Sequence, residues 1–119
     1  MTPSMEDYIE AIYTLGDARD PVRLTDIAQR LGLTKASVSR AVRSLCEEGL
    51  VTHQRYGTLM LTEPGVEHAR EVYRRHTLLK RFLTERLYLS DDIAETDACR
   101  MEHAVSRQTV EALELYLNE

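Results

Sequence analysis

Two short amphipathic segments joined by a three-residue turn constrain the fold of this chain more than any other feature. Residues 24–31 and residues 35–48 each carry apolar side chains at helical spacing. The turn between them is Gly32-Leu33-Thr34, and Gly49 follows the second segment, where glycine is favoured just beyond a helix end. Two helices joined by a short turn that contains glycine form the helix-turn-helix pattern. The chain is therefore expected to contain this motif.

The exposed face of the second helix carries small, hydroxylated and basic side chains. Arg and Lys bond guanine edges or phosphates, Ser and Thr bond either, and an Ala methyl group contacts thymine. Large side chains would hold the helix out of the major groove, whereas an ordinary helical hairpin with a solvated basic face has no need of small ones. We therefore favour double-stranded DNA as the partner. The predicted contacts are Thr34, Lys35, Ala36, Ser37, Ser39, Arg40 and Arg43.

Two strand-like runs follow the second helix and predict a β-hairpin. They are residues 50–54 and 58–62, and they flank Arg55-Tyr56-Gly57. A hairpin at this position forms a wing beside a helix-turn-helix, with Arg55 at its tip near phosphate or the minor groove. The sequence thus predicts a winged helix-turn-helix DNA-binding domain over residues 1–62.

The remaining residues, 63–119, predict an α-helical domain. A long helix is expected from Glu63 to about Tyr88, a second from Ser90 as its N-cap to His103, and a third that begins after Ser106. The fold class is therefore mainly α, with an N-terminal winged helix-turn-helix followed by a helical domain.

The spacing of Cys99, Glu102 and His103 suits a metal site. At positions i, i+3 and i+4 of a helix, the three side chains share one face within roughly 60° of arc. A thiol, a carboxylate and an imidazole that converge on one point suit a late first-row divalent metal. A mixed polar face is the alternative, because cysteine is often simply a small core residue.

Three further polar residues have two interpretations. Asp7 and Glu10 lie three residues apart on a predicted first helix, where paired carboxylates are often only solvated. His76 lies among apolar neighbours on the long helix, where a histidine is more often a core residue than a ligand. The residues alone leave these alternatives open.

Net charge and cysteine content limit the classes of protein to which this chain can belong. The 119-residue chain has a net charge of −5, but residues 30–61 contain five basic and two acidic side chains. A local basic surface in an acidic protein is compatible with DNA binding. Two cysteines make no disulfide framework, and no apolar run reaches the length of a membrane span or a secretory leader. We expect a cytoplasmic protein with no membrane partner and no small organic substrate.

Several motifs resemble one family along essentially the whole chain. TPSMEDYIEAIY is similar to the manganese transport regulators, ACRMEHAVS is similar to the diphtheria toxin repressors, and RRHTLLKRFL matches the long helix of both. The chain resembles the shorter members, which lack the additional C-terminal SH3-like domain. The resemblance implies homodimeric repressors that bind operator DNA when loaded with Fe²⁺ or Mn²⁺ and that control metal homeostasis genes. The helical domain would then serve dimerisation and metal binding. The implied metal ligands are Asp7, Glu10, His76, Cys99, Glu102 and His103.

The resemblance is divided between the two branches. Iron-responsive members usually have Met at the position of Asp7, whereas manganese regulators have Glu at the position of Cys99. The second site of the iron branch uses Glu where this chain has Lys80 and His where it has Glu95, so that site is not matched. A thiolate favours softer ions and carboxylates favour Mn²⁺. We expect Fe²⁺ or Mn²⁺, with a slight preference for Fe²⁺, and Co²⁺, Zn²⁺ or Ni²⁺ as substitutes in vitro.

Two other functions compete with this hypothesis. The first is a winged-helix regulator that responds to an organic ligand or to oxidation of Cys99. Such a regulator would bind DNA without metal. The second is a small metallohydrolase that uses Glu102 as its base, but the chain offers no glycine-rich phosphate loop and no separate nucleophile constellation. We therefore expect a regulator and not an enzyme.

Overall fold

The computed structural model describes residues 3–17 and 19–119 and shows a mainly helical chain, as predicted. The helices within this range are α1 Pro3–Leu15, α2 Leu24–Leu31, α3 Lys35–Glu47, α4 Glu63–Arg81, α5 Asp91–Met101 and α6 Arg107–Leu117. The strands are β1 Val22–Arg23, β2 Val51–His53 and β3 Thr58–Leu61. Among the helices described, none is both long enough and apolar enough to cross a membrane.

The chain divides into two units, Met1–Arg70 and Glu71–Glu119, and the division falls within α4. The sequence places its boundary at the end of the hairpin instead, between residues 62 and 63. That boundary stays a prediction.

The helix-turn-helix in the first unit follows from the local preferences of its turn residues. Gly32 ends α2 with φ of 66°, a left-handed conformation that glycine adopts without a steric penalty. Thr34 is the N-cap of α3, and its side chain accepts a hydrogen bond from the backbone N–H of Ser37. The predicted motif is confirmed.

The three strands form one antiparallel sheet in the order β1-β3-β2. Val51 pairs with Leu61 and His53 pairs with Leu59, which confirms the predicted hairpin. Val22 pairs with Leu59 from the other side, so β1 is an edge strand that the sequence analysis missed. A two-residue strand has no periodicity of its own, and only its pairing with a distant segment defines it.

The core of the first unit consists of the apolar faces of α1, α2, α3 and the start of α4, packed against the sheet. Ile9, Ile27, Val38, Val42 and Leu45 are each 0% exposed. Cys46 is half-buried and packs against this core.

The second unit contains the end of α4 together with α5 and α6. The long helix is shorter than predicted: α4 ends at Arg81, a π-helical turn covers Phe82–Arg86, and Tyr88 has φ of 58°. Ser90 and Ser106 cap α5 and α6 as predicted, each accepting a hydrogen bond from a backbone N–H three residues on.

Candidate metal centre and nucleic-acid interface

His76 lies at the centre of a polar cluster in the second unit. Its Nδ1 atom is 2.8 Å from Oε2 of Glu102 and 3.8 Å from the sulfur of Cys99. Its Nε2 atom is 3.0 Å from Oε1 of Glu95. His76 and Glu102 are buried, whereas Cys99 is exposed, so the cluster extends from the interior of the unit to its surface.

The sequence of α5 explains why its polar side chains reach His76. Ala94 and Ala98 are 0% exposed and belong to the same apolar cluster as Leu79 and Leu83. Because alanine is small, α5 can approach the α4 side of the unit closely. Glu95 and Cys99, four residues apart, occupy the face adjacent to these alanines.

The predicted helix through His103 is too long by two residues. The structure ends α5 at Met101, and Glu102 is its C-cap residue with φ of −60° and ψ of −26°. The backbone of Glu102 therefore stays nearly helical, which keeps its carboxylate beside His76. His103 follows in the turn, with Nε2 3.4 Å from Oε1 of Glu102.

Two carboxylates hold the imidazole of His76 in its charged form. The pKa of His76 is raised from 6.5 to about 9, chiefly by the hydrogen bond with Glu102, and burial opposes this effect. Glu95 contributes a second hydrogen bond. Burial raises the pKa of Glu95 itself, but hydrogen bonds from Lys80 and His76 outweigh it, and that pKa is lowered. The metal-free cluster is thus an imidazolium between two carboxylates.

The donor set of this cluster fits a divalent metal ion. Ligand atoms of His76, Glu95 and Cys99 all lie within 4.8 Å of one another. Nitrogen, sulfur and carboxylate oxygen are the donors that Fe²⁺, Co²⁺ and Zn²⁺ accept, and the buried Glu102 carboxylate adds negative charge beside them.

Four of the six predicted ligands come together in the second unit. His76 contacts both Glu102 and Cys99, and His103 is next to Glu102. Asp7 and Glu10 belong to α1 of the first unit, and their role as ligands stays a prediction.

Glu95 is a cluster member that the sequence analysis treated only as the loss of a histidine. The structure places its carboxylate on His76 instead. Its spacing of four residues from Cys99 was a signal that could have identified it, because residues i and i+4 share a helix face.

The predicted DNA-contact face of α3 is exposed over most of its length. Lys35, Ala36, Ser39, Arg40 and Arg43 are all exposed. Ser37 is less exposed than these residues, being half-buried, and it accepts a hydrogen bond of 3.4 Å from Arg40. The hydroxyl groups of Thr34 and Ser37 are 3.0 Å apart, so both are partly engaged in capping α3.

The hairpin tip carries an exposed aromatic residue beside the predicted contact Arg55. Arg55 is exposed as predicted, and Tyr56 beside it is 93% exposed with φ of 59°. Thr58 donates a hydrogen bond of 2.6 Å to the carbonyl of Arg55, which holds the tip in shape. Tyr56 was not among the predicted contacts, although it stands at the centre of the predicted turn.

Comparisons with known proteins cover both units. The family model described as "Iron dependent repressor, N-terminal DNA binding domain" matches residues 1–59. The model described as "Iron dependent repressor, metal binding and dimerisation domain" matches residues 62–119.

The similar proteins are transcription regulators. An uncharacterised HTH-type transcriptional regulator of Methanocaldococcus jannaschii is 32% identical, over 100% of this chain and 96% of its own length. The HTH-type transcriptional regulator MntR of Listeria welshimeri is 39% identical over 70% of this chain and 58% of its own length. A solved structure of a manganese-dependent transcriptional repressor in complex with manganese has a TM-score of 0.88 and 33% identity, and covers 96% of this chain. This chain spans only 52% of that solved chain.

Proposed function

This chain belongs to the iron-dependent repressor family, and from that premise we propose that it is a metal-dependent transcriptional repressor. It binds operator DNA as a homodimer when loaded with Fe²⁺ or Mn²⁺ and controls genes of metal homeostasis. The observation that carries the proposal is the convergence of His76, Cys99 and Glu102 in the second unit.

The second unit supplies an imidazole, a thiol and a buried carboxylate to the metal. These residues would hold a divalent ion, and the ion would supply the positive charge that the imidazolium proton of His76 supplies in the metal-free protein. The thiolate of Cys99 favours Fe²⁺ over Mn²⁺, and any carboxylate ligands from α1 favour Mn²⁺. The choice between these ions therefore depends on whether Asp7 and Glu10 bind the metal.

A dimer through the second unit is supported by its exposed apolar side chains. Leu115 is 72% exposed and Tyr116 is 45% exposed on α6, and Ile93 is 51% exposed on α5. Large apolar side chains left exposed on a domain are available to be buried in an association surface. In a symmetric dimer, two α3 helices would reach successive major grooves, about 34 Å apart.

The proposal is tested by titrating the metal-free protein anaerobically with Co²⁺ and recording absorption spectra. Stoichiometric binding with a thiolate-to-metal band is expected for the wild type. Cys99→Ser should lose the band. Cys46→Ser is the matched control, because that thiol packs in the core of the first unit and should leave the band unchanged.

Absence of Co²⁺ binding in the wild type would contradict the proposal. Tight binding without a thiolate band would remove Cys99 from the ligand set and leave a carboxylate-rich site suited to Mn²⁺.

A further inference from the structure

Lys80 contacts two carboxylates on the acidic side of the His76 cluster in the second unit. Its Nζ atom is 3.0 Å from Oε2 of Glu95 and 3.3 Å from Oδ1 of Asp91. His76 and Lys80 are four residues apart on α4, as Asp91 and Glu95 are on α5. Basic side chains on α4 therefore contact acidic side chains on α5 at successive turns of the two helices.

The imidazole of His76 offers two edges to a metal ion. Its Nδ1 edge meets Glu102 and Cys99, and its Nε2 edge meets Glu95. Glu95 together with His76 and Cys99 is itself a possible set of ligands. The position of Glu95 thus decides which edge is open to the metal.

A carboxylate that accepts a hydrogen bond from one ring nitrogen leaves the other nitrogen as the ligand. Glu95 leaves Nδ1 of His76 as the ligand atom as long as its carboxylate accepts the hydrogen bond from Nε2. Lys80 stabilises it there, because the ammonium group bonds the same carboxylate and neutralises its charge. A divalent ion beside Glu95 would be repelled by that ammonium group.

We propose that Lys80 is an internal cation that keeps Glu95 hydrogen-bonded to His76, so that Glu95 is not a metal ligand. This inference rests on the proposed function. Lys80 occupies the place that a second divalent ion would take beside Asp91 and Glu95. The second unit accordingly binds one ion, through Nδ1 of His76.

The first experiment counts Co²⁺ ions bound per full-length chain by equilibrium dialysis, with the thiolate band recorded in parallel. Wild type should bind one ion in the second unit's cluster. Lys80→Glu replaces the cation with a third carboxylate beside Asp91 and Glu95, and should bind one ion more than wild type. Arg81→Glu is the matched control, since it makes the same charge change one residue away, where Arg81 bonds Glu85 and not Glu95.

Two further variants keep the test informative if Lys80→Glu folds poorly. Lys80→Met keeps the length of the side chain and should raise the affinity for a second Co²⁺ about tenfold over wild type. Glu95→Gln should retain the thiolate band while lowering Co²⁺ affinity about 10- to 100-fold, as expected for a residue that orients a ligand.

The outcomes separate this inference from the proposed function. If wild type binds no Co²⁺, the proposed function fails and the role of Lys80 fails with it. If wild type binds Co²⁺ with the thiolate band, but Lys80→Glu and Lys80→Met bind the same number of ions with wild-type affinity, only the inference is overturned. Loss of the thiolate band in Glu95→Gln would also overturn it.

Discussion

Nδ1 of His76 lies 2.8 Å from Oε2 of Glu102, and both side chains are buried. This hydrogen bond is the main reason that the pKa of His76 rises from 6.5 to about 9. The folded, metal-free protein therefore binds this proton more tightly than the unfolded chain does. The stabilisation is complete below about pH 6.5 and is lost as the pH rises through about 9.

We accordingly predict that the metal-free protein loses stability on alkalinisation. Its free energy of unfolding should fall by on the order of 1–3 kcal/mol between about pH 6 and about pH 9.5. Denaturant unfolding at the two pH values measures this. Glu102→Gln should show a smaller pH dependence, and an equally steep dependence in that variant would exclude the His76–Glu102 pair as its cause.

Metal loading should release protons at neutral pH. Because His76 is protonated in the metal-free protein, binding through Nδ1 must displace its proton, and binding through Cys99 requires the thiolate. Calorimetry with Co²⁺ in buffers of different ionisation enthalpy should report up to about two protons per ion. Cys99→Ser should release about one proton fewer, and release of none by wild type at pH 7 would contradict this account.

The carboxylates of α1 test the part of the ligand set that rests on the sequence. Asp7→Ala and Glu10→Ala should each lower Mn²⁺ affinity at least about tenfold, because a lost carboxylate ligand weakens binding of a hard ion most. The thiolate band with Co²⁺ should remain. Asp26→Ala on α2 is the control for a change of one negative charge at an exposed site. Unchanged Mn²⁺ affinity in both α1 variants would show that neither residue is a ligand.

The basic face of α3 should contribute to DNA binding through phosphate contacts. Arg43→Ala should weaken the binding of metal-loaded protein to duplex DNA of any sequence, and the slope of log affinity against log salt should fall by about one. Fluorescence anisotropy over a salt series measures both. Arg70→Ala, also exposed in the first unit, should leave the slope as in wild type. An unchanged slope in Arg43→Ala would remove this residue from the interface.

The sequence predicts this fold well wherever the signal is local. The caps at Ser90 and Ser106 and the turn at Gly32 depend on neighbouring residues only, and all three are confirmed. Strand β1 was missed because its two residues become a strand only by pairing with Leu59 and Thr58.

In the candidate site too, local features could be predicted from the sequence and contacts between distant segments could not. The spacing of Cys99, Glu102 and His103 is local, so their proximity could be predicted. The contact of Glu95 with both His76 and Lys80 depends on the packing of α5 near α4, and sequence spacing alone does not give that distance. The end of α4 was also placed too late, because apolar residues continue at helical spacing through the π-helical turn.

The most direct test of the central claim is the metal dependence of DNA binding. Duplexes that bind the Mn²⁺-loaded protein are first enriched from a pool of random sequences. One enriched duplex is then titrated at constant ionic strength with metal-free, Mn²⁺-loaded and Fe²⁺-loaded protein. We predict tight binding by at least one metal-loaded form and binding weaker by about tenfold or more in the metal-free form. Equal affinities of all three forms would contradict the account, and would favour a regulator that responds to another ligand or to oxidation of Cys99.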